Sequence, residues 1–349
     1  MIFVSDIQLN SATITAVGSA LVDLLIHEDD AFLKSIDKEK GGMTLVDDHE
    51  IQYVLSKSGK DPEIVPGGSA CNTICGVAEL GGKSGFIAKR GNDNFGDNYE
   101  KYLREIGVSP CFYSSDTPTG KVLSIITPDA QRSMFTYLGA SVELHPDEIR
   151  SDLFKNSGIA ILEGYLLFNR ELMRAALDAA KKAGALIALD LASYEVVQGS
   201  KDILNGIIKN DVDILIANED EAAAYTGISE EMKALEKMSE HVKIAVLKVG
   251  ARGSFISHQG DVIQITADGH ARKGNLGDRI EASQSADIKD TTGAGDLWAA
   301  GFLYGIANGY SMEQSGRIGA ACGFEVCQVV GAQISKEGWQ RIKALKVSL

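Results

Sequence analysis

The chain has 349 residues, 44% of them hydrophobic, enough for one large α/β domain with an appendage or for two domains. Forty-eight acidic side chains against 34 basic ones leave a formal charge of −14, which argues against nucleic acid or an anionic membrane as a partner, because both need a basic face. No apolar run is long enough to span a bilayer, the opening residues lack a secretory leader's basic and apolar regions, and the five scattered cysteines read as reduced thiols, so the cytoplasm is the expected compartment.

In chain order, residues 13–25 are an apolar run interrupted by Gly18 and read as the first strand. Residues 28–59 are polar with helical pieces. A small-residue helix spans 67–80, opened by Gly67, Gly68 and Ser69; a short strand follows at 85–90 and an amphipathic helix at 97–106. Residues 111–138 alternate β-branched and polar types and carry turn signals at 117–120 and 128–130, which predicts an antiparallel patch of two to four strands. From residue 145 helix and apolar strand alternate at 158–162, 171–183, 186–191, 203–209, 214–217, 220–225 and 244–247. Such a series implies a parallel sheet covered on both faces, with ligands gathered at the carboxyl ends of its strands. Glu163, Asp190, Asn218 and Lys248 fall at those ends. The expected division is an α/β core of residues 1–26, 58–110 and 142–349, with 27–57 and 111–141 forming a small β-rich lid.

The most informative stretch is Asp290-Thr-Thr-Gly-Ala-Gly-Asp296, followed by an apolar helical run. A Gly-Ala-Gly turn feeding a helix leaves main-chain N–H groups unpaired, and the helix dipole adds positive charge there, so Gly293, Ala294 and Gly295 read as an anion hole suited to phosphate. A carboxylate at its mouth would repel that anion unless it takes a proton from an attacking hydroxyl, which makes Asp296 the candidate general base. Gly67, Gly68 and Asn72 offer a place for the acceptor. The glycines let backbone approach a ligand closely, and the Asn72 amide both donates and accepts. Asp23 is a carboxylate in an apolar run: either a solvated strand end or a bidentate acceptor for neighbouring hydroxyls. Asn218 is a natural helix N-cap, and Glu221 would hold hydrated Mg²⁺. Lys248, Gly250 and Gly253 suit a turn beneath a flat base, with the lysine near phosphate. Arg132 is either a solvated hairpin residue or a mobile cation over the transferring phosphoryl group. A Gly-x-x-x-x-Gly-Lys-Ser/Thr loop, the protein-kinase motifs and a dinucleotide fingerprint are all missing from the sequence.

Together these motifs resemble the ribokinase-like, or pfkB, family of carbohydrate and purine kinases, matching nearly the whole chain in the family's order. The resemblance rests on Gly67-Gly-x-x-x-Asn72 through Gly96, Asn218-x-x-Glu221, Lys248-x-Gly-x-x-Gly253, the 290–296 motif and Gly331-Ala-Gln333. It implies a three-layer αβα core with a mainly parallel sheet and a β-rich lid. It implies ATP- and Mg²⁺-dependent phosphorylation of an alcohol, with Asp296 as base, Asp23, Gly67, Gly68, Asn72 and Glu163 at the acceptor, and Asn218, Glu221, Lys248, Gly250 and Gly253 toward the nucleotide. It also implies a monovalent cation, K⁺, beside Asp290, Thr292, Val326, Val329, Gly331 and Ser335, several of them through backbone carbonyls. The 32–55 insertion and the Arg132 segment resemble the adenosine kinase branch; Phe135, Tyr137, Tyr165 and Phe168 read either as a stacking wall for a base or as core packing. The expected protein is a monomer or homodimer that phosphorylates a primary hydroxyl of an adenosine-like ribonucleoside or a sugar. The rival readings are a kinase of free sugars or sugar phosphates and a non-catalytic nucleotide-binding regulator.

Overall fold

The computed structural model describes residues 7–129, 131–272 and 288–349. Its first strands are β1 (Thr13–Val17), β2 (Leu21–His27), β3 (Met43–Leu45), β4 (Glu63–Gly67) and β5 (Ser84–Gly91). Next come β6 (Val108–Ser115), β7 (Gly120–Ile126), β8 (Arg132–Tyr137), β9 (Ser157–Glu163) and β10 (Leu186–Asp190). The remainder are β11 (Ile214–Asn218), β12 (Ile244–Lys248), β13 (Ser254–His258), β14 (Asp261–Ile265) and β15 (Ala271–Arg272).

Ten of these strands form one sheet in the order β15-β14-β13-β12-β11-β10-β9-β1-β5-β6. Pairing is parallel from β6 to β12 and antiparallel from β12 onward. Alternate residues feed opposite faces, and both faces are buried. Ile14, Ala16, Ile159, Ile161, Ile214, Ile216, Ile244 and Val246 pack in one cluster with Ile74, Ala299, Ala300 and Phe302 from the Ser69–Glu79 and Ala294–Ala307 helices. Their neighbours Val17, Ala160, Leu162, Leu215, Ala217, Ala245 and Leu247 pack on the other side with Met173, Ala176 and Leu177 of the Arg170–Lys182 helix. The three-layer αβα arrangement is therefore the expected one. The apolar runs are nearly continuous because neither sheet face meets water.

A second sheet, β3-β8-β7-β2-β4, stands apart from the first. Two expectations change here. The run read as one first strand is two: β1 ends at Val17, and after residues 18–20 the chain starts again as β2 in the smaller sheet. β4 also joins that smaller sheet, whereas β6, read as part of the lid, pairs in parallel with β5 at the edge of the large sheet. Periodicity reports strand character without reporting which sheet a strand joins.

Chain order switches direction at β1, which lies between β5 and β9. The crevice at the carboxyl end of such a switch point is the favoured ligand position in a doubly wound sheet.

Candidate functional site

The carboxyl ends of the strands beside that crevice carry Glu163, Asp190, Asn218 and Lys248, brought level by strand register: Asp190 pairs with Glu163, and Asn218 with Lys248. The Ala294–Ala307 helix points its N-terminus at the same place. Gly293 caps it in the left-handed region at φ 74, which a side chain would strain. The amides of the motif are not equivalent. The Ala294 N–H donates to Thr291 O at 3.1 Å and so closes the turn on itself, a correction to the expectation that it joins the anion hole. Gly293 and Gly295 have no protein acceptor among the described residues, and these amides remain to meet an anion.

Asp296 lies in the first turn of this helix. Its Oδ1 accepts from Ser69 Oγ at 2.7 Å, its Oδ2 from Asn72 Nδ2 at 2.9 Å, and its main-chain oxygen from Thr73 Oγ1 at 3.2 Å. All three donors come from the first turns of the Ser69–Glu79 helix. Burial pushes the Asp296 carboxyl above its ordinary range. Asn72 and Ser69 pull it back, Asp190 adds to the rise and Lys248 opposes it. A base with a raised pKa is better matched to a hydroxyl proton at neutral pH. Ser69 and Thr73 were missed by motif reading. Their signal is helical spacing, since 69, 72 and 73 share one helix face.

The Asp23 carboxyl has no hydrogen-bond partner among the described residues, and burial pushes it up to about 7, with Arg132 opposing and Asp296 adding to the shift. It stands over Gly67, where a Cβ would come 2.4 Å from its carboxyl carbon. Gly68, at φ 93, would place a Cβ 2.6 Å from Ser19 O. Both glycines are thus dictated by close approach. Glu163 is committed to the scaffold: Oε1 accepts from Ser19 N (2.9 Å) and Ser19 Oγ (2.8 Å), and Oε2 from Ala70 N (3.2 Å). It ties the β1–β2 connection to the Ser69–Glu79 helix, with burial pushing its carboxyl up to about 7.

Among the residues expected to face a nucleotide, Asn218 and Glu221 form a reciprocal cap on the Glu219–Thr226 helix, with Asn218 Oδ1 accepting from Glu221 N at 2.9 Å and Glu221 Oε2 accepting from Asn218 N at 2.8 Å. Lys248 Nζ donates to Asp190 Oδ2 at 3.0 Å and lies 2.9 Å from where a Cβ on Gly295 would be. Burial alone would lower this lysine's pKa, but Asp190 and Glu221 hold it above the usual value. Burial and then Asp190 push Glu221 up to about 7, with Lys248 opposing. Two buried carboxylates around one ammonium leave a surplus of negative charge that Mg²⁺, a hard oxygen-seeking cation, would balance. Gly250 (φ 54) faces open space, while Gly253 packs on Ile265 O and Thr266.

The proposed stacking wall does not form as expected. Arg132 shares its sheet face with Met134 and Thr136 of β8, which pair with Ser124 and Val122 of β7; Val122 in turn pairs with Asp23. Phe135 and Tyr137 fall on the opposite face, and Phe135 is buried beside Leu123, Ile51 and Val54. Tyr165 and Phe168 are exposed. Arg132 is ion-paired with Asp290, both side chains being 9% exposed. Among the described residues no helix is long and apolar enough to cross a membrane.

The pattern of the pfkB family of carbohydrate kinases matches residues 43–338. A nucleoside kinase of Methanocaldococcus jannaschii is 29% identical over 280 residues, 79% of this chain and 83% of that one. A 5-dehydro-2-deoxygluconokinase of Geobacillus thermodenitrificans is 28% identical over 271 residues, 73% and 76% of the respective chains. The crystal structure of an adenosine kinase from Sinorhizobium meliloti superposes with a TM-score of 0.82 at 29% identity, covering 95% of this chain and 98% of that one.

Proposed function

The chain belongs to the pfkB family of carbohydrate kinases, and we propose that it transfers the γ-phosphoryl group of ATP to a primary hydroxyl of a ribonucleoside or a sugar. One observation carries the proposal. A buried carboxylate, Asp296, is held by Ser69 and Asn72 at the mouth of a helix N-terminus whose Gly293 and Gly295 amides have no protein acceptor. Asp23 and the Gly67–Gly68 backbone orient the acceptor's hydroxyls. Asp296 accepts the proton of the attacking hydroxyl, and the two amides with Lys248 stabilise charge developing on the phosphoryl oxygens. Mg²⁺, held through Glu221 and Asp190 by way of its waters, would neutralise the phosphate chain.

A sugar-type acceptor is a second reading with its own support. The lid face that carries Asp23 and Arg132 is aliphatic and hydroxyl-bearing, with Val122, Ser124, Met134 and Thr136, while Phe135 turns away from it. An ADP-release screen over nucleosides, free sugars, sugar acids and sugar phosphates with MgATP tests both readings. Turnover on a nucleoside supports the first and turnover only on sugars the second. ATP binding without turnover on any alcohol overturns the kinase proposal in favour of a regulator.

A further inference from the structure

The family resemblance places a monovalent cation beside Asp290, Thr292, Val326, Val329, Gly331 and Ser335. In that set Asp290 carries the only formal charge, and its carboxylate is already filled. Oδ1 accepts from Thr292 N at 3.0 Å and Thr292 Oγ1 at 2.8 Å; Oδ2 accepts from Gly331 N at 2.7 Å and from the Arg132 guanidinium. Four donors match the four lone-pair sites of a carboxylate. The Ser335 hydroxyl is likewise committed, accepting from Gly338 N at 3.0 Å as a helix cap.

The charge is balanced as well as the hydrogen bonding. The Arg132–Asp290 pair is mostly removed from water, at 9% exposure on each side, where a second cation would meet the guanidinium with little screening. K⁺ could reach Asp290 only by displacing Arg132 or by sitting against a like charge. Asp290 therefore has no free oxygen to offer a monovalent cation, which the neutral oxygens of the set alone would have to hold.

We propose that the Arg132 guanidinium, delivered from the small sheet, takes the place of the monovalent cation at Asp290, so that phosphoryl transfer in this protein is independent of K⁺ and removal of Arg132 opens the position to K⁺. Arginine suits the task because it stays charged and presents several donors to one carboxylate. The pairing also makes the charge at the anion-binding turn conditional on the small sheet being seated, since Arg132 opens β8 and Asp290 opens the motif.

The test uses the full chain and two readouts. Thermal melts are recorded in KCl, NaCl and choline chloride at equal ionic strength, for wild type, Arg132→Ala, Arg132→Gln and Arg132→Lys. The expected result is no potassium-specific shift in wild type or Arg132→Lys, and a saturable upward shift of several degrees in Arg132→Ala, as ligand linkage requires once K⁺ exceeds its Kd many-fold. Arg132→Gln repeats the measurement should the alanine variant fold poorly. A saturable potassium-specific shift in wild type overturns the proposal, as does its absence from both neutral variants. In the second readout, K⁺ leaves wild-type ADP release unchanged and stimulates the neutral variants at least fivefold. That arm rests on the kinase reading. The melts need no acceptor, so failure of every alcohol to support turnover would sink that reading and leave the melts decisive.

Discussion

Asn72 donates to Asp296 across 2.9 Å, joining the helix that would receive the acceptor to the helix that would receive the phosphate. The bond also tunes the proposed base. Asn72 and Ser69 lower a carboxyl pKa that burial raises. A general base works when deprotonated, so activity falls as pH drops through its pKa. Asn72→Ala removes one stabilising donor, and the acid limb of kcat/KM shifts to higher pH, with Ser69→Ala shifting it the same way. A pH–rate profile that does not move in either variant counts against Asp296 as the base.

Asp296→Asn keeps an oxygen for Asn72 and replaces the proton acceptor with an amide. Turnover in an ADP-release assay drops by roughly 10²–10⁴, the usual worth of a general base, with a melting temperature close to wild type. Near-normal turnover would remove the mechanism.

Asp23→Asn separates stability from function. A carboxyl raised from 3.8 to about 7 in the folded protein binds its proton more tightly there than in the unfolded chain. Its contribution is fully present below the unfolded pKa and is lost as pH rises through about 7. The asparagine variant has no proton to lose. Denaturant melts should show it gaining on wild type between pH 4 and 8, by on the order of 2–4 kcal/mol at the upper end, while its acceptor KM rises. Parallel stability curves would show that Asp23 titrates normally.

Lys248→Met leaves Asp190 and Glu221 facing each other without a cation. Breaking one side of a buried pair costs about 3–5 kcal/mol, and the double variant with Asp190→Asn recovers part of that cost. Urea unfolding of the four members of the cycle measures the coupling, and strict additivity would show that the pair does not interact.

Gly67→Ala forces a methyl group to within 2.4 Å of the Asp23 carboxyl. The carboxyl must move, so acceptor KM rises several-fold while ATP KM is unchanged. Equal changes in both would point to a general loss of structure.

The sequence made the large sheet legible because parallel strands buried on both faces are uninterrupted apolar runs, as at Ile214–Asn218 and Ile244–Lys248. It made the turn into the Ala294–Ala307 helix legible because Gly293 must adopt a positive φ and Asp296 stands out beside it. The division between sheets was not legible: β2 is as apolar as a core strand, β4 is short and carries Glu63, Pro66 and Gly67, and only tertiary pairing sends both to the smaller sheet. The aromatic wall failed for a related reason. Phe135 and Arg132 are three residues apart on one strand, an odd spacing that puts them on opposite faces. The Arg132–Asp290 and Ser69–Asp296 bonds join residues 158 and 227 positions apart, beyond the reach of any local pattern.

The chain passes between its two sheets at residues 18–20, at Gly68, at residues 116–119 and at Leu138. Any swing of the smaller sheet must be absorbed by twisting at these four joints. Two of them are parts of the proposed acceptor site: Ser19 grips Glu163, and Gly68 introduces the helix that carries Asn72. The molecule therefore has no way to open its mouth without loosening the fingers that would hold the meal.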